Sequence, residues 1–143
     1  MPQIIKKHLS FLSILILLAL PLSVSACGIS EKTHAGYENA SLEHAYQHWK
    51  QGEKSSIPFA FLDVRSIEEY NQGHIAGAIH IPIQQLAQRL NELPKDKRLY
   101  VHCEAGVRSA KAAALLIDSG IRNIENMPAG MAGWRDAAYP IEK

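Results

Sequence analysis

Behind an apolar N-terminal stretch, continuous apolar runs alternate with segments whose apolar residues recur every three or four positions. Leu42, Ala45, Tyr46 and Trp49 fall at helical spacing behind Ser41, which predicts a helix capped by that serine, with Tyr46 and Trp49 in or near the core. Residues 59–62 are apolar without a break and lead into Asp63-Val64-Arg65, as a parallel strand covered on both faces does. Ser66 and Glu69 stand at capping-box spacing, and Gly73 ends the short helix they open. Residues 78–81 predict a short strand. Pro82 suits the first turn of a following helix, whose stripe of Ile83, Leu86, Leu90 and Leu93 stops at Pro94. Residues 99–102 predict a strand, 109–119 a helix with Gly120 at its stop, 123–127 a last strand, and 131–138 a closing helix packed through Met131 and Trp134. Alternation of this kind predicts one α/β domain built on a parallel sheet.

The first 26 residues read as a secretory signal. Lys6 and Lys7 form a positive start, residues 9–22 an apolar stretch shorter than the roughly 20 residues a membrane span needs, and Val24-Ser25-Ala26 a small-residue cleavage site before Cys27. Val24-Ser25-Ala26-Cys27 resembles the bacterial lipoprotein processing box, which implies that Cys27 is lipidated and becomes the new N-terminus. Such a protein is exported and held at the extracytoplasmic face of a membrane, because several acyl chains anchor stably where one does not. Residues 27–36 then read as a tether of at most about 30 Å, at roughly 3.3–3.6 Å per residue, and 37–143 as the folded domain.

Without its leader the chain keeps 117 of 143 residues, enough for one core and too few for two domains. The leader takes two of the fifteen basic side chains and no acidic one, so thirteen against fourteen leaves a charge of −1. No basic run argues for nucleic acid as a partner. Cysteine is scarce: with Cys27 lipidated, Cys103 has no partner for an intramolecular disulfide, and a lone thiol outside the cytoplasm calls for a chemical reason.

That reason lies in the run Leu99-Tyr100-Val101-His102-Cys103-Glu104-Ala105-Gly106-Val107-Arg108-Ser109. An apolar strand delivers Cys103 to its carboxyl end, where ligands bind in open α/β sheets. A loop with a glycine follows, then a cation and the start of a helix. Backbone N–H groups turned inward, together with a helix N-terminus, favour the thiolate, the nucleophilic form of cysteine.

These residues, with Leu62-Asp63-Val64-Arg65, Glu69-Tyr70, residues 73–82 (Gly73-His74-Ile75-Ala76-Gly77-Ala78-Ile79-His80-Ile81-Pro82), Gly130-Met131-Ala132-Gly133-Trp134 and Tyr139-Pro140, resemble a single-domain rhodanese, a sulfurtransferase. The resemblance spans 37–143 in family order. It implies a five-stranded parallel sheet flanked by helices on both faces. It also implies that Cys103 accepts a sulfane sulfur as a persulfide and passes it to cyanide or a thiol, without a cofactor. Glu104, Ala105, Gly106, Val107 and Arg108 carry over as the cradle, mainly through backbone amides, with Arg108 as an added cation. Phosphatases with a related loop place five residues between cysteine and arginine; here four intervene, and the tighter ring suits a single sulfur better than a phosphate. A protein that holds the persulfide for a partner without turning over small molecules is the alternative.

Glu104 departs from the neutral or basic residue often found there. A carboxylate about 7 Å from the sulfur opposes thiolate formation by about 0.6 kcal/mol in a water-like dielectric and about 2.4 kcal/mol at an effective value of 20. Thiosulfate, a dianion, is therefore expected to be a poor donor, improved by Glu104→Gln. His74 and His80 read as structural. Strand alternation turns His102 away from the Cys103 side chain. His44 and His48, at i and i+4, read as a solvated helix face with no third metal ligand in view. Asp63 and Arg65 read as structural, with Arg65 paired to Glu69.

Overall fold

The computed structural model describes residues 31–143. The segment expected to be a secretory leader and Cys27 lie outside the described residues. In chain order the elements are β1 (Glu31–Lys32), β2 (Glu38–Asn39), α1 (Leu42–Gln51), β3 (Phe59–Asp63), α2 (Ile67–Gln72), β4 (Ile79–His80), β5 (Arg98–His102), α3 (Val107–Asp118), β6 (Ile124–Asn126) and α4 (Gly130–Asp136). The sheet runs β1-β2-β6-β5-β3-β4. Its five strands from β2 to β4 are parallel, as expected, and β1 adds a short antiparallel edge. The stretch read as a tether therefore contributes to the sheet: Thr33 and Tyr37 close a turn that folds Glu31–Lys32 back onto β2.

Alternation along the central strands divides the core in two. Leu62, Leu99, Val101 and Cys103 face α3, where Ala112, Ala113 and Leu116 meet them. Phe61 and Tyr100 face the other way, toward Ala45 of α1 and Met131 and Trp134 of α4. Both Met131 and Trp134 are fully buried, and Tyr46 and Trp49 pack half-buried against them.

The local signals act as read. The Ser41 side chain accepts from the His44 amide, and Ser66 with Glu69 completes a capping box before Gly73 ends α2. Beyond α3 the amides of Gly120 and Ile121 return to the Ile117 and Leu116 carbonyls, a Schellman closure with Gly120 in the left-handed region.

Two elements differ. The segment between Pro82 and Pro94 forms consecutive 3₁₀ turns, Ile83–Gln88 and Leu90–Glu92, not an α-helix. Ile83 and Leu86, then Leu90 and Leu93, are three apart, which a three-residue turn lines up on one face. Leu86 and Leu93 are buried by it. The helix behind the reactive loop also starts two residues early, at Val107, so Val107 and Arg108 belong to its first turn.

His44 and His48 do not form a solvated face. Both rings pack edge-on to Tyr100, the His48 Nδ1 lies 2.8 Å from the Tyr100 hydroxyl, and His44 stands 3.7 Å from the Glu125 carboxylate. His102 points opposite to Cys103, as alternation requires, and is fully buried against Phe61. Its ring stands 3.9 Å from the Asp63 carboxylate, and neither ring nitrogen has a hydrogen-bond partner among the described residues.

Burial pushes the His102 ring down to about 4 from the ordinary 6.5, against the pull of Asp63. The unfolded chain takes up this proton near 6.5 while the folded one refuses it until about 4. Stability present above 6.5 is therefore lost as pH falls through this window, by on the order of 3 kcal/mol. His102→Phe, which keeps the ring and removes the titration, should flatten that slope in urea unfolding followed between pH 7 and 4; an unchanged slope would assign the loss to other groups.

Candidate functional site

Cys103 follows the last residue of β5, and its side chain is 1% exposed. The loop behind it is shaped from outside by α4. The Met131 amide donates to the Cys103 carbonyl at 2.8 Å, and the Ala132 amide to the Glu104 carbonyl at 3.0 Å. A trans peptide points its N–H opposite to its C=O. Fixing these carbonyls outward turns the next amides, of Glu104 and Ala105, toward the inside of the loop.

Two glycines make this closeness possible. A Cβ on Gly130 would lie 2.5 Å from the carbonyl oxygens of both Cys103 and Glu104, and one on Gly106 would lie 2.6 Å from the Pro128 oxygen. Both also sit at positive φ, 55° and 87°, where side chains are strained. Any larger residue at Gly130 pushes the loop off α4.

Inside the loop, burial by itself would push the Cys103 thiol up. It is outweighed by the amides of Ser109, Ala105 and Gly106 and by the Ser109 hydroxyl, which hold the thiol below its ordinary range. The Cys103 Sγ lies 3.7 Å from Ser109 Oγ, which in turn donates to the Gly106 carbonyl at 3.1 Å. α3 is a twelve-residue helix that starts directly behind the loop, and the amide of Ser109 in its first turn acts on the sulfur with the partial positive charge of a helix N-terminus. The site is an anion cradle fitted around one atom.

The charged groups around the mouth are paired. Arg108 donates to both Glu69 oxygens, at 2.6 and 2.7 Å, which holds Glu69 down to about 2 and raises Arg108. Glu69 is thus the partner of Arg108, not of Arg65. Arg65 instead grips Asp63 through Nε and Nη2, at 2.6–3.0 Å, and the Gly73 carbonyl at 2.9 Å. The alternation of the short β3–α2 connection sets this choice: Asp63 is two residues away and buried with Arg65, whereas Glu69 caps α2 from the Ser66 amide and faces α3. Glu104 does not stand alone against the thiolate: Arg135 of α4 bridges to it, and Arg65 Nη1 lies 3.7 Å away.

His74 and His80 stack on either side of the Tyr70 ring, and His80 Nε2 meets the Arg65 carbonyl at 2.9 Å, which fits the structural role expected of them. The structure thus brings Cys103, Ala105, Gly106 and the Arg108 side chain together. It leaves the side chain of Val107 pointing out, 69% exposed. Sequence reasoning missed Ser109, Gly130 and Arg135. Ser109 was legible as a hydroxyl at the start of a helix facing back into the loop, and Gly130 as part of a small-residue run. Arg135, 31 residues from Glu104 along the chain, carried no local signal.

Removing the Ser109 hydroxyl should move the Cys103 thiol upward, because it takes away one of the groups that hold the thiol below its ordinary range. The pH dependence of iodoacetamide alkylation in Ser109→Ala reads this directly; a midpoint equal to the unaltered chain would leave the amides as the sole source of stabilisation.

Among proteins of known sequence, the chain is 38% identical over 99 residues to the "Putative sulfur carrier protein YrkF" of Bacillus subtilis, covering 68% of this chain and 54% of that one. It is 38% identical over 85 residues to the "Thiosulfate sulfurtransferase PspE" of Escherichia coli, covering 58% and 78%. The chain spans little more than half the length of YrkF and of a second B. subtilis relative. A crystal structure of a rhodanese-related protein from Thermoplasma volcanium superposes with a TM-score of 0.66 at 32% identity, over 74% of this chain and 98% of that one. Residues 44–137 match the Rhodanese-like domain family, and with the sheet order and the loop geometry they make this chain a member of it.

Proposed function

We propose that the protein is a sulfurtransferase that carries a sulfane sulfur on Cys103 as a persulfide. The observation that carries the reading is a sulfur only 1% exposed at the end of β5, in a loop whose Cys103 and Glu104 carbonyls are held outward by α4 so that the following amides face it. The Cys103 thiolate attacks the outer sulfur of a sulfane donor such as thiosulfate. The S–S bond of the donor breaks, and its electron pair leaves with sulfite. The persulfide anion then lies among the same amides. A thiophile, cyanide or a thiolate, attacks the outer sulfur, the new S–S bond breaks, and its pair returns to Cys103 Sγ. The chemistry needs neither a metal nor an added oxidant.

The names carried by the E. coli and B. subtilis relatives support sulfur transfer and sulfur carriage respectively. In the second reading Cys103 holds the sulfur for a partner protein and turns over small molecules poorly. Mass spectrometry after exposure to a sulfane donor should show one added sulfur atom on the unaltered chain and none on Cys103→Ser. Thiocyanate release on adding cyanide then distinguishes an enzyme from a carrier. A chain that gains no sulfur from thiosulfate or polysulfide would overturn both.

The leader expected in residues 1–26 and Cys27 support a place outside the cytoplasm, with a lipid anchor holding the domain close to a bacterial membrane. Cys27→Ala is expected to shift the protein from the membrane to the soluble fraction of fractionated cells; persistence in the membrane would refute the anchor.

A further inference from the structure

We propose that the cavity beside the reactive loop is a head-group subsite for a thiol that bears an α-amino acid, with Arg135 and Glu104 selecting such thiols over those lacking the carboxylate or the ammonium. This rests on the persulfide chemistry proposed above and names the substrate class of that site.

The cavity encloses about 420 Å³ and is lined by Arg65, Glu69, Gln72, Gly73, Glu104 and Arg135. That volume falls at the small end of ligand pockets and suits an amino-acid head. It adjoins the loop at two points. Glu104 directly follows the nucleophile, and Glu69 holds Arg108, which feels the charge of the Cys103 sulfur.

Its donors are only partly committed. Arg65, 1% exposed, gives Nε and Nη2 to Asp63 and Gly73. Its Nη1 has one contact among the described residues, the Glu104 oxygen at 3.7 Å, which is beyond hydrogen-bond length. Arg135 bridges to the same carboxylate. Two guanidiniums thus converge on one carboxylate and leave N–H groups free for a second, which a ligand can supply. Glu104 and Glu69 line the same space and offer carboxylate oxygens to an ammonium.

The balance of charge favours a zwitterion over a dianion. Arg65, Arg108 and Arg135 are matched by Asp63, Glu69 and Glu104. A ligand with one charge of each sign replaces contacts like for like. A dianion must compete with Glu104 for both guanidiniums and adds net negative charge beside the thiolate. In the transfer step, the thiolate of the bound amino acid attacks the outer sulfur of the Cys103 persulfide. The enzyme S–S bond breaks, the pair returns to Cys103 Sγ, and the sulfur leaves on the amino acid.

The test loads the full chain with polysulfide and follows transfer to cysteine, cysteamine, 3-mercaptopropionate and 2-mercaptoethanol at matched thiolate concentrations, with cyanide as an acceptor that has no head group. Cysteine should react roughly tenfold faster than cysteamine or 3-mercaptopropionate, each lacking one charged group, and faster still than 2-mercaptoethanol, which lacks both. Arg135→Gln should narrow its lead over cysteamine. Glu104→Gln should narrow its lead over 3-mercaptopropionate and, by releasing two guanidiniums, raise kcat/KM for thiosulfate. A purely structural role for either residue would slow all four thiols alike. Equal rates for the four thiols, or a lead that survives both substitutions, overturns the subsite while transfer to cyanide leaves the persulfide reading standing. A chain that delivers sulfur to none of the thiols overturns the subsite, and one that gains no sulfur from polysulfide overturns both.

Discussion

A rigid peptide plane makes the site depend on contacts made outside it. Because carbonyl and amide of one peptide point in opposite directions, the hydrogen bonds from Met131 and Ala132 to the carbonyls of Cys103 and Glu104 decide where the next amides point. α4 is therefore more than a lid on the core. It is the template that turns a run of main-chain dipoles inward. The grip requires backbone to touch backbone, and Gly130 leaves no room for a side chain between them. The buried faces of Met131 and Trp134 hold α4 in place, so the packing of one sheet face is coupled to the ionisation of a thiol on the other.

A second constraint sits beneath the mouth. Asp63 and Arg65 are both buried, and an ion pair removed from water gains stability only when its remaining hydrogen-bonding positions are filled. Asp63 accepts from the Arg65 amide and side chain, and Gly73 takes a further guanidinium N–H. Loss of either partner would leave a buried charge unmatched, which costs about 3–5 kcal/mol. The pair ties the end of β3 to the end of α2 and holds Arg65 with one nitrogen toward Glu104. The stacked Tyr70, His74 and His80 rings brace the same corner.

Most of the fold was legible because its signals are local. Ser41, Ser66 with Glu69, Gly73 and Gly120 each cap a helix through residues within four positions, and apolar runs mark β3 and β5 as covered strands. The segment between Pro82 and Pro94 misled because spacing of three suits either kind of helix, and the 3₁₀ form is the one that packs Ile83–Gln88 against α3 with Leu86 and Leu93 buried. Edge strand β1 was illegible, since two polar residues show no alternation and are ordered by pairing with β2. In the site, Cys103 and the loop were readable from their order along the chain. The ion pairs were not. Arg108 with Glu69 and Arg135 with Glu104 join residues 39 and 31 positions apart, and only the fold decides which of several nearby charges meet.

Those pairings change what the loop's own sequence suggests. A carboxylate next to the nucleophile reads, in isolation, as a charge that opposes the thiolate. Set between two guanidiniums, it becomes the acceptor that orders them, and its field at the sulfur is largely cancelled. The thiolate is then stabilised mainly by fixed main-chain dipoles, which cannot move away when a sulfur arrives or leaves, with the Ser109 hydroxyl and the Arg108 cation beside them. Charge at the mouth is free to serve recognition. Chemistry and selectivity are thereby assigned to different parts of the same loop: N–H groups inside for the sulfur, and paired side chains outside for whatever carries it.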